Sequence, residues 1–149
     1  MLLFTCFFEN YGPPLTLSPA AAETIQSFLN DTNTVPTDYD MILTGDLGKV
    51  GSELLIDLLK KDFKIDISPV HMDCGLMIYD LESQDVHAGG SGCGCSAAVV
   101  NSHIMRRLES KELNRVLFVG TGALLSTTST FQGESIPSIA HGVLLTSGE

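Results

Sequence analysis

The chain has 149 residues, 44% of them hydrophobic and 17% charged, which suits one globular domain with a sizeable core and excludes a disordered or highly charged tail. Eighteen acidic residues against eight basic ones give a formal charge of −10, and outside Lys60-Lys61 and Arg106-Arg107 the basic residues are scattered, so no basic stripe for nucleic acid exists. The four cysteines, Cys6, Cys74, Cys93 and Cys95, are too few and too uneven in spacing for a secreted disulfide scaffold, and a reducing compartment is expected.

Residues 1–8 (MLLFTCFF) are apolar but lack a basic flank and fall far short of the roughly 20 residues that cross a bilayer. They read as a buried strand, not an anchor. Gly12-Pro13-Pro14 interrupts whatever precedes it. Ser18 then offers an N-cap and Pro19 a first helical position, and Ala21, Ile25, Phe28 and Leu29 recur at helical spacing, so a helix is predicted from Ser18 to about Asn30. After a turn-rich stretch, residues 39–44 (YDMILT) form a short apolar run ended by Gly45, the pattern of a buried strand. Residues 45–51 (GDLGKVG) lead into a second helix reaching Lys61, with Val50, Leu54, Leu55, Leu58 and Leu59 on its inner face.

Residues 65–80 carry mixed signals and suit a short strand followed by an irregular run at the edge of a sheet. Another long helix is predicted from about Cys93 to Ser110, with Ala97, Val100, Ile104 and Leu108 as its buried stripe. Residues 115–119 form a strand pattern, residues 120–135 a loop rich in Gly, Ser and Thr, and residues 138–146 a last strand with Ile139, Val143 and Leu145 on one face. The last two strands should be antiparallel neighbours. Alternating helices and strands imply an α/β fold, a mixed sheet packed by helices, with functional loops at the carboxyl ends of its parallel strands.

Three loops could carry chemistry. The first, residues 86–97 (VHAGGSGCGCSA), runs into a helix; its glycines permit close backbone approach, and free N–H groups at a helix start favour a carboxylate or phosphate. The simpler reading is that small residues let the helix pack closely. The spacing is neither a dinucleotide fingerprint nor a P-loop. His71, Cys74, Cys93 and Cys95 could be imagined around a metal, but the two-residue step from Cys93 to Cys95 argues against it and small buried thiols are the better explanation. A nucleophilic Cys93 is conceivable at a helix start, without an assignable base. The second loop holds Asp46 and Lys49; Asp46 either meets a ligand or caps the following helix. The third offers hydroxyls at residues 126–130 (STTST), and a solvated connection is its cheaper explanation. His103 belongs on an outer helix face and His141 in a strand, leaving His87 as the histidine next to the glycine-rich loop, suited to an orienting hydrogen bond more than to proton transfer.

Residues 44–49 (TGDLGK), 72–80 (MDCGLMIYD), 85–95 (DVHAGGSGCGC), 121–126 (TGALLS) and 132–137 (QGESIP), in this order, resemble the stage V sporulation protein AD (SpoVAD) family. The resemblance runs from about Leu17 to Leu145. It implies a thiolase-like fold related to ketoacyl synthases and built of two similar halves, of which residues 18–149 correspond to the C-terminal one; the N-terminal half is absent and residues 1–17 diverge. Family members bind dipicolinic acid, alone or as its calcium chelate, which the SpoVA proteins move into the forespore. The resemblance thus implies a non-catalytic binding protein with no cofactor or metal of its own. It also implies other SpoVA proteins as partners, room for a homodimer, an intracellular forespore or spore location, and attachment to the spore inner membrane through partners without a span of its own. Ketoacyl synthases carry a histidine and an asparagine where this chain has Gly45-Asp46 and Gly90-Ser91, which weighs against an acyl-transferring enzyme. A truncated half-domain that serves only in interaction is the other alternative. The ligand-binding residues expected are Asp46, His87, Gly89, Gly90, Ser91, Gly92, Cys93, Gly122 and Ser126, with Gly89 to Cys93 forming one wall and Gly122 to Ser126 another.

Overall fold

Met41, Ile42, Leu43 and Thr44 are all buried, and four consecutive buried residues in a strand require cover on both faces of the sheet. That cover organises the computed structural model, which describes residues 4–8, 13–90, 92–123, 132 and 136–148. The strands are β1 (Phe4–Phe8), β2 (Met41–Thr44), β3 (His71–Asp73), β4 (Arg115–Ala123) and β5 (Ile136–Thr146). They form one sheet in the order β1-β5-β4-β2-β3. β2 is parallel to both β3 and β4, while β5 is antiparallel to β4 and to β1. The mixed sheet packed by helices is the α/β arrangement expected, consistent with a thiolase-like half-domain.

On one face, α1 (Pro13–Thr32) and α2 (Gly48–Leu58) bury Ile25, Leu29 and Leu55 against Ile42, Leu117, Val119 and Ala140. On the other, α4 (Cys95–Val99) and α5 (Met105–Glu109) bury Val99 and Leu108 against Met41, Leu43 and Val116. The alternation along β2 and β4 sends successive side chains to opposite cores.

Several expectations are corrected. Ser18 is not an N-cap: α1 begins at Pro13, where the first-turn N–H groups have no helical acceptor in any case, so the two leading prolines cost little. Pro19 lies inside the helix, and the Ser18 hydroxyl donates to the Gly51 carbonyl at 2.8 Å, tying α1 to α2. On α2 the expected Leu55, and Leu59 in the wider π-helical turn Leu59–Phe63, are buried, but Val50 is 51% exposed and Gly51 and Ser52 take the inner face at that end. Between α4 and α5 the turn Val100–Ile104 is also π-helical. It inserts one residue into the spacing, so the buried stripe runs Cys95, Val99, Ile104, Leu108 and Ala97 is exposed. β4 extends to Ala123, past the predicted start of the third loop. On β5, Leu145 packs on the second core but Val143 is half exposed. The short edge strand expected near residue 70 is β3, followed by one helical turn, α3 (Cys74–Met77).

Candidate functional site

The carboxyl ends of β2, β3 and β4 share one edge of the sheet, where parallel strands of α/β proteins deliver their loops. The turn after β2 holds Asp46, half-buried. Its Oδ2 accepts from the Gly92 N–H at 3.1 Å and its Oδ1 from the Thr121 hydroxyl at 3.2 Å. One carboxylate therefore joins the glycine-rich loop to the end of β4. Asp46 does not cap α2, contrary to the alternative considered for it; the start of that helix is served from the neighbouring strand. Asp73, fully buried at the end of β3, accepts from the N–H groups of Leu47 and Gly48 at 2.9 and 3.0 Å.

Asp73 also accepts from the Thr44 hydroxyl at 2.6 Å and from the Gly75 N–H at 3.0 Å. Burial pushes its carboxyl above the usual carboxylate range, against the pull of these four hydrogen bonds. His71 Nε2 lies 3.1 Å from Thr44 Oγ1. Because Thr44 has a single hydroxyl hydrogen and gives it to Asp73, the imidazole is the donor. Burial holds His71 down to about 4, so the ring is neutral near pH 7. Asp73, Thr44 and Thr121 carried no expected role; the sequence signal for Asp73 was its place in the MDCGLMIYD string at the end of a short strand.

The glycine-rich loop is placed mainly by packing. Gly90 N–H donates to the Gly75 carbonyl at 2.7 Å, and Lys49 N–H donates to the Ala88 carbonyl at 2.8 Å. Gly89 has φ +112°, and a Cβ there would sit 2.6 Å from the Gly75 oxygen; one on Gly90 would sit 2.5 Å from Ile78 Cγ2. Glycine is required at Gly89 by its positive φ and the Gly75 backbone, while Gly90 is crowded by the side chains of Ile78 and Tyr79. Farther along, Gly92, Cys93 and Gly94 are exposed and border an open depression of about 310 Å³ walled by Ile78 and Tyr79. A second open groove, about 430 Å³, lies between α3 and the helix after the loop, lined by Met77, Ile78, Ala98 and His103 among others.

Of the remaining expected residues, His87 is largely in solvent with Nδ1 3.9 Å from Asp85 Oδ1, and Gly122 is paired with Ile139 within the sheet. Ser91 and Ser126 lie outside the described residues. His103 is exposed, as expected of an outer helix face. Cys74 and Cys95 belong to the second core. Burial pushes the Cys74 thiol up to about 12, with Asp73 adding to it, and burial with Asp46 raises Cys95, so neither is a thiolate near neutral pH. Cys93 is exposed. Among the described residues, no three His, Cys, Asp or Glu side chains cluster as metal ligands would, and no helix is long and apolar enough to cross a membrane.

Comparison with known proteins gives this edge of the sheet a family. The family described as Stage V sporulation protein AD (SpoVAD) matches residues 9–146, beginning ahead of the Leu17 from which the resemblance was read. The chain is 53% identical over 128 residues to the stage V sporulation protein AD of Bacillus subtilis (strain 168), covering 86% of this chain and 37% of that protein, so it spans little more than a third of that relative's length. With the family's match running through Asp46, the glycine-rich loop and the end of β4, the chain belongs to the SpoVAD family of sporulation proteins.

Proposed function

We propose that this chain supplies part of a non-catalytic binding site for dipicolinic acid, serving its uptake into the forespore by the SpoVA machinery. One observation supports the reading: in a SpoVAD-family chain, the glycine-rich loop and the end of β4, next to Gly122, are bound to the same Asp46 carboxylate, and the loop borders an open depression. The ligand itself follows from the family resemblance. A flat aromatic acid suits a depression with an aromatic residue, Tyr79, and the small residues Gly92, Cys93 and Gly94 in its lining.

Asp46 bears on the form of the ligand. A carboxylate at close range repels a free dianion, whereas a calcium chelate brings a divalent cation that a carboxylate accepts. Calcium takes six to eight oxygen ligands, and the described residues offer no cluster that would hold it alone; a chelating ligand supplies most of those oxygens itself. The chelate is thus the better partner for Asp46.

Absence of catalysis is supported by space as well as by residue identity. A side chain at Gly45, where condensing enzymes carry histidine, would meet Thr121 Oγ1 at 2.8 Å, and one at Gly90 would meet Ile78 and Tyr79. Attachment to the spore inner membrane through other SpoVA proteins completes the reading.

Calorimetry tests it, on this chain and on the Bacillus subtilis relative with this chain substituted for its matching segment, using dipicolinate with and without calcium and benzoate as control. Saturable binding of dipicolinate but not benzoate is expected, tighter with calcium. Equal or absent binding of both would sink the proposal. Incubation with acyl thioesters should leave Cys93 unmodified by mass spectrometry, and an adduct there would restore the acyl-transferring alternative.

A further inference from the structure

Asp73 is fully buried and is not among the expected ligand-binding residues, yet the turn that presents Asp46 and the seat of the glycine-rich loop are both tied to it. Its Oδ1 accepts from the Thr44 hydroxyl and the Leu47 N–H; its Oδ2 accepts from the N–H groups of Gly48 and Gly75. The first three donors flank Asp46 in sequence, so they fix the turn that presents it. The fourth opens α3, whose Gly75 carbonyl receives the Gly90 N–H at 2.7 Å and so seats the glycine-rich loop. Oδ2 is the junction between the two.

Asp73 is the N-cap of α3, and a carboxylate buried only to start that helix would need the Gly75 N–H alone. Reaching the Thr44 hydroxyl and the N–H groups of Leu47 and Gly48 as well couples two separate segments, and a buried carboxylate is tolerated only when its lone pairs are satisfied in this way. We propose that Asp73 is the positioning residue of the candidate site: without touching ligand, it sets Asp46 at the reach of the Gly92 N–H and thereby holds the glycine-rich loop against the end of β4. This rests on the reading of Asp46 and the glycine-rich loop as ligand walls, but its primary test needs no ligand.

That test is residue-resolved amide exchange by NMR on the 149-residue chain. Asp46→Ala should speed exchange at Gly92 while leaving Leu47 and Gly48 protected. Asp73→Asn keeps the shape but replaces one acceptor oxygen with a donor; exchange should rise at Leu47, Gly48 and Gly75, and also at Gly92, by about tenfold. Leu117 and Ala140, in the sheet, should not change. Gly92 decides the matter, because Asp73 does not touch it and a purely local role would leave it alone. Faster exchange at the direct partners with Gly92 unchanged overturns the proposal. Should Asp73→Asn fail to fold, Thr44→Val, which removes one donor of the four, carries the same decision with a smaller rise. In a second arm, Asp73→Asn should weaken dipicolinate binding about as much as Asp46→Ala does. A wild-type chain that binds no dipicolinate defeats the functional reading, while Gly92 exchange still decides the positioning role.

Discussion

The turn between β2 and α2 and the glycine-rich loop meet at Asp46 but are held in different ways. The turn is fixed by charge: the Leu47 and Gly48 N–H groups both point at one buried carboxylate from a neighbouring strand. The loop is fixed at its first residues by shape, where Gly89 and Gly90 fit against α3 and the residues after it, and by backbone hydrogen bonds at Ala88 and Gly90; farther along, Gly92 is tied to Asp46. A Cβ added at Gly92 or Gly94 would meet nothing within 4 Å. One side of the site is therefore specified by hydrogen bonds to a buried carboxylate that cannot be exchanged with water without cost, and the other in large part by the absence of side chains.

The contrast is broken most severely at Asp73. Asp73→Ala strands the three buried N–H groups of Leu47, Gly48 and Gly75, while the Thr44 hydroxyl keeps His71 and the Met72 carbonyl, and each unsatisfied buried group costs about 1–3 kcal/mol, with partial relief where water enters. A loss of about 3–5 kcal/mol in unfolding free energy is expected from urea titration. A loss below about 1 kcal/mol would mean that water or a shifted side chain replaces the carboxylate, and that the turn is not specified by it.

How much of this could be read from the sequence follows the same division. The sheet and helices were legible because apolar residues recur at the right period: the run at residues 41–44 and the stripe in α1 emerge where predicted. The glycine-rich loop was legible because glycine is conspicuous. The long-range role of Asp73 was not: its capping of α3 through Gly75 is local, but acceptance from a turn 25 or more residues away leaves no local pattern. The same blindness left capping of α2 as one of two readings of Asp46, whose carboxylate reaches Gly92 and Thr121, 46 and 75 residues distant. Ala97 was misplaced for a local reason of another kind, a π-helical turn that no 3.6-residue pattern anticipates.

A smaller effect should appear on acidification. The His71 ring is held neutral by burial, with its folded value near 4 against an ordinary 6.5. Between those values the unfolded chain binds more protons than the folded one, so stability rises with pH across that window. The contribution is complete above about pH 6.5 and is lost as pH falls toward 4, at most about 3 kcal/mol in all. Asp73, the carboxylate linked to His71 through Thr44, is raised by burial and works in the opposite sense, favouring the folded state as it gains its proton. His71→Gln preserves a donor toward Thr44 and does not titrate. Urea midpoints at intervals from pH 7 to 4 should fall less steeply for the variant than for the wild type; parallel curves would assign the acid sensitivity elsewhere.

The finest test separates the two ends of the glycine-rich loop. Gly90→Ala places a methyl 2.5 Å from Ile78 Cγ2 and 2.9 Å from Tyr79 Cε2. Both neighbours are partly exposed and able to yield, which limits the cost to about 1–2 kcal/mol. Gly94→Ala meets no atom, and its φ of −98° suits any residue, so its effect should stay within about 0.5 kcal/mol. If the loop were held evenly along its length, the two substitutions would cost the same. A clear gap between their urea midpoints locates the steric anchor at Gly90 and leaves the stretch from Gly92 to Gly94 constrained by the contact with Asp46, which is the stretch that borders the depression.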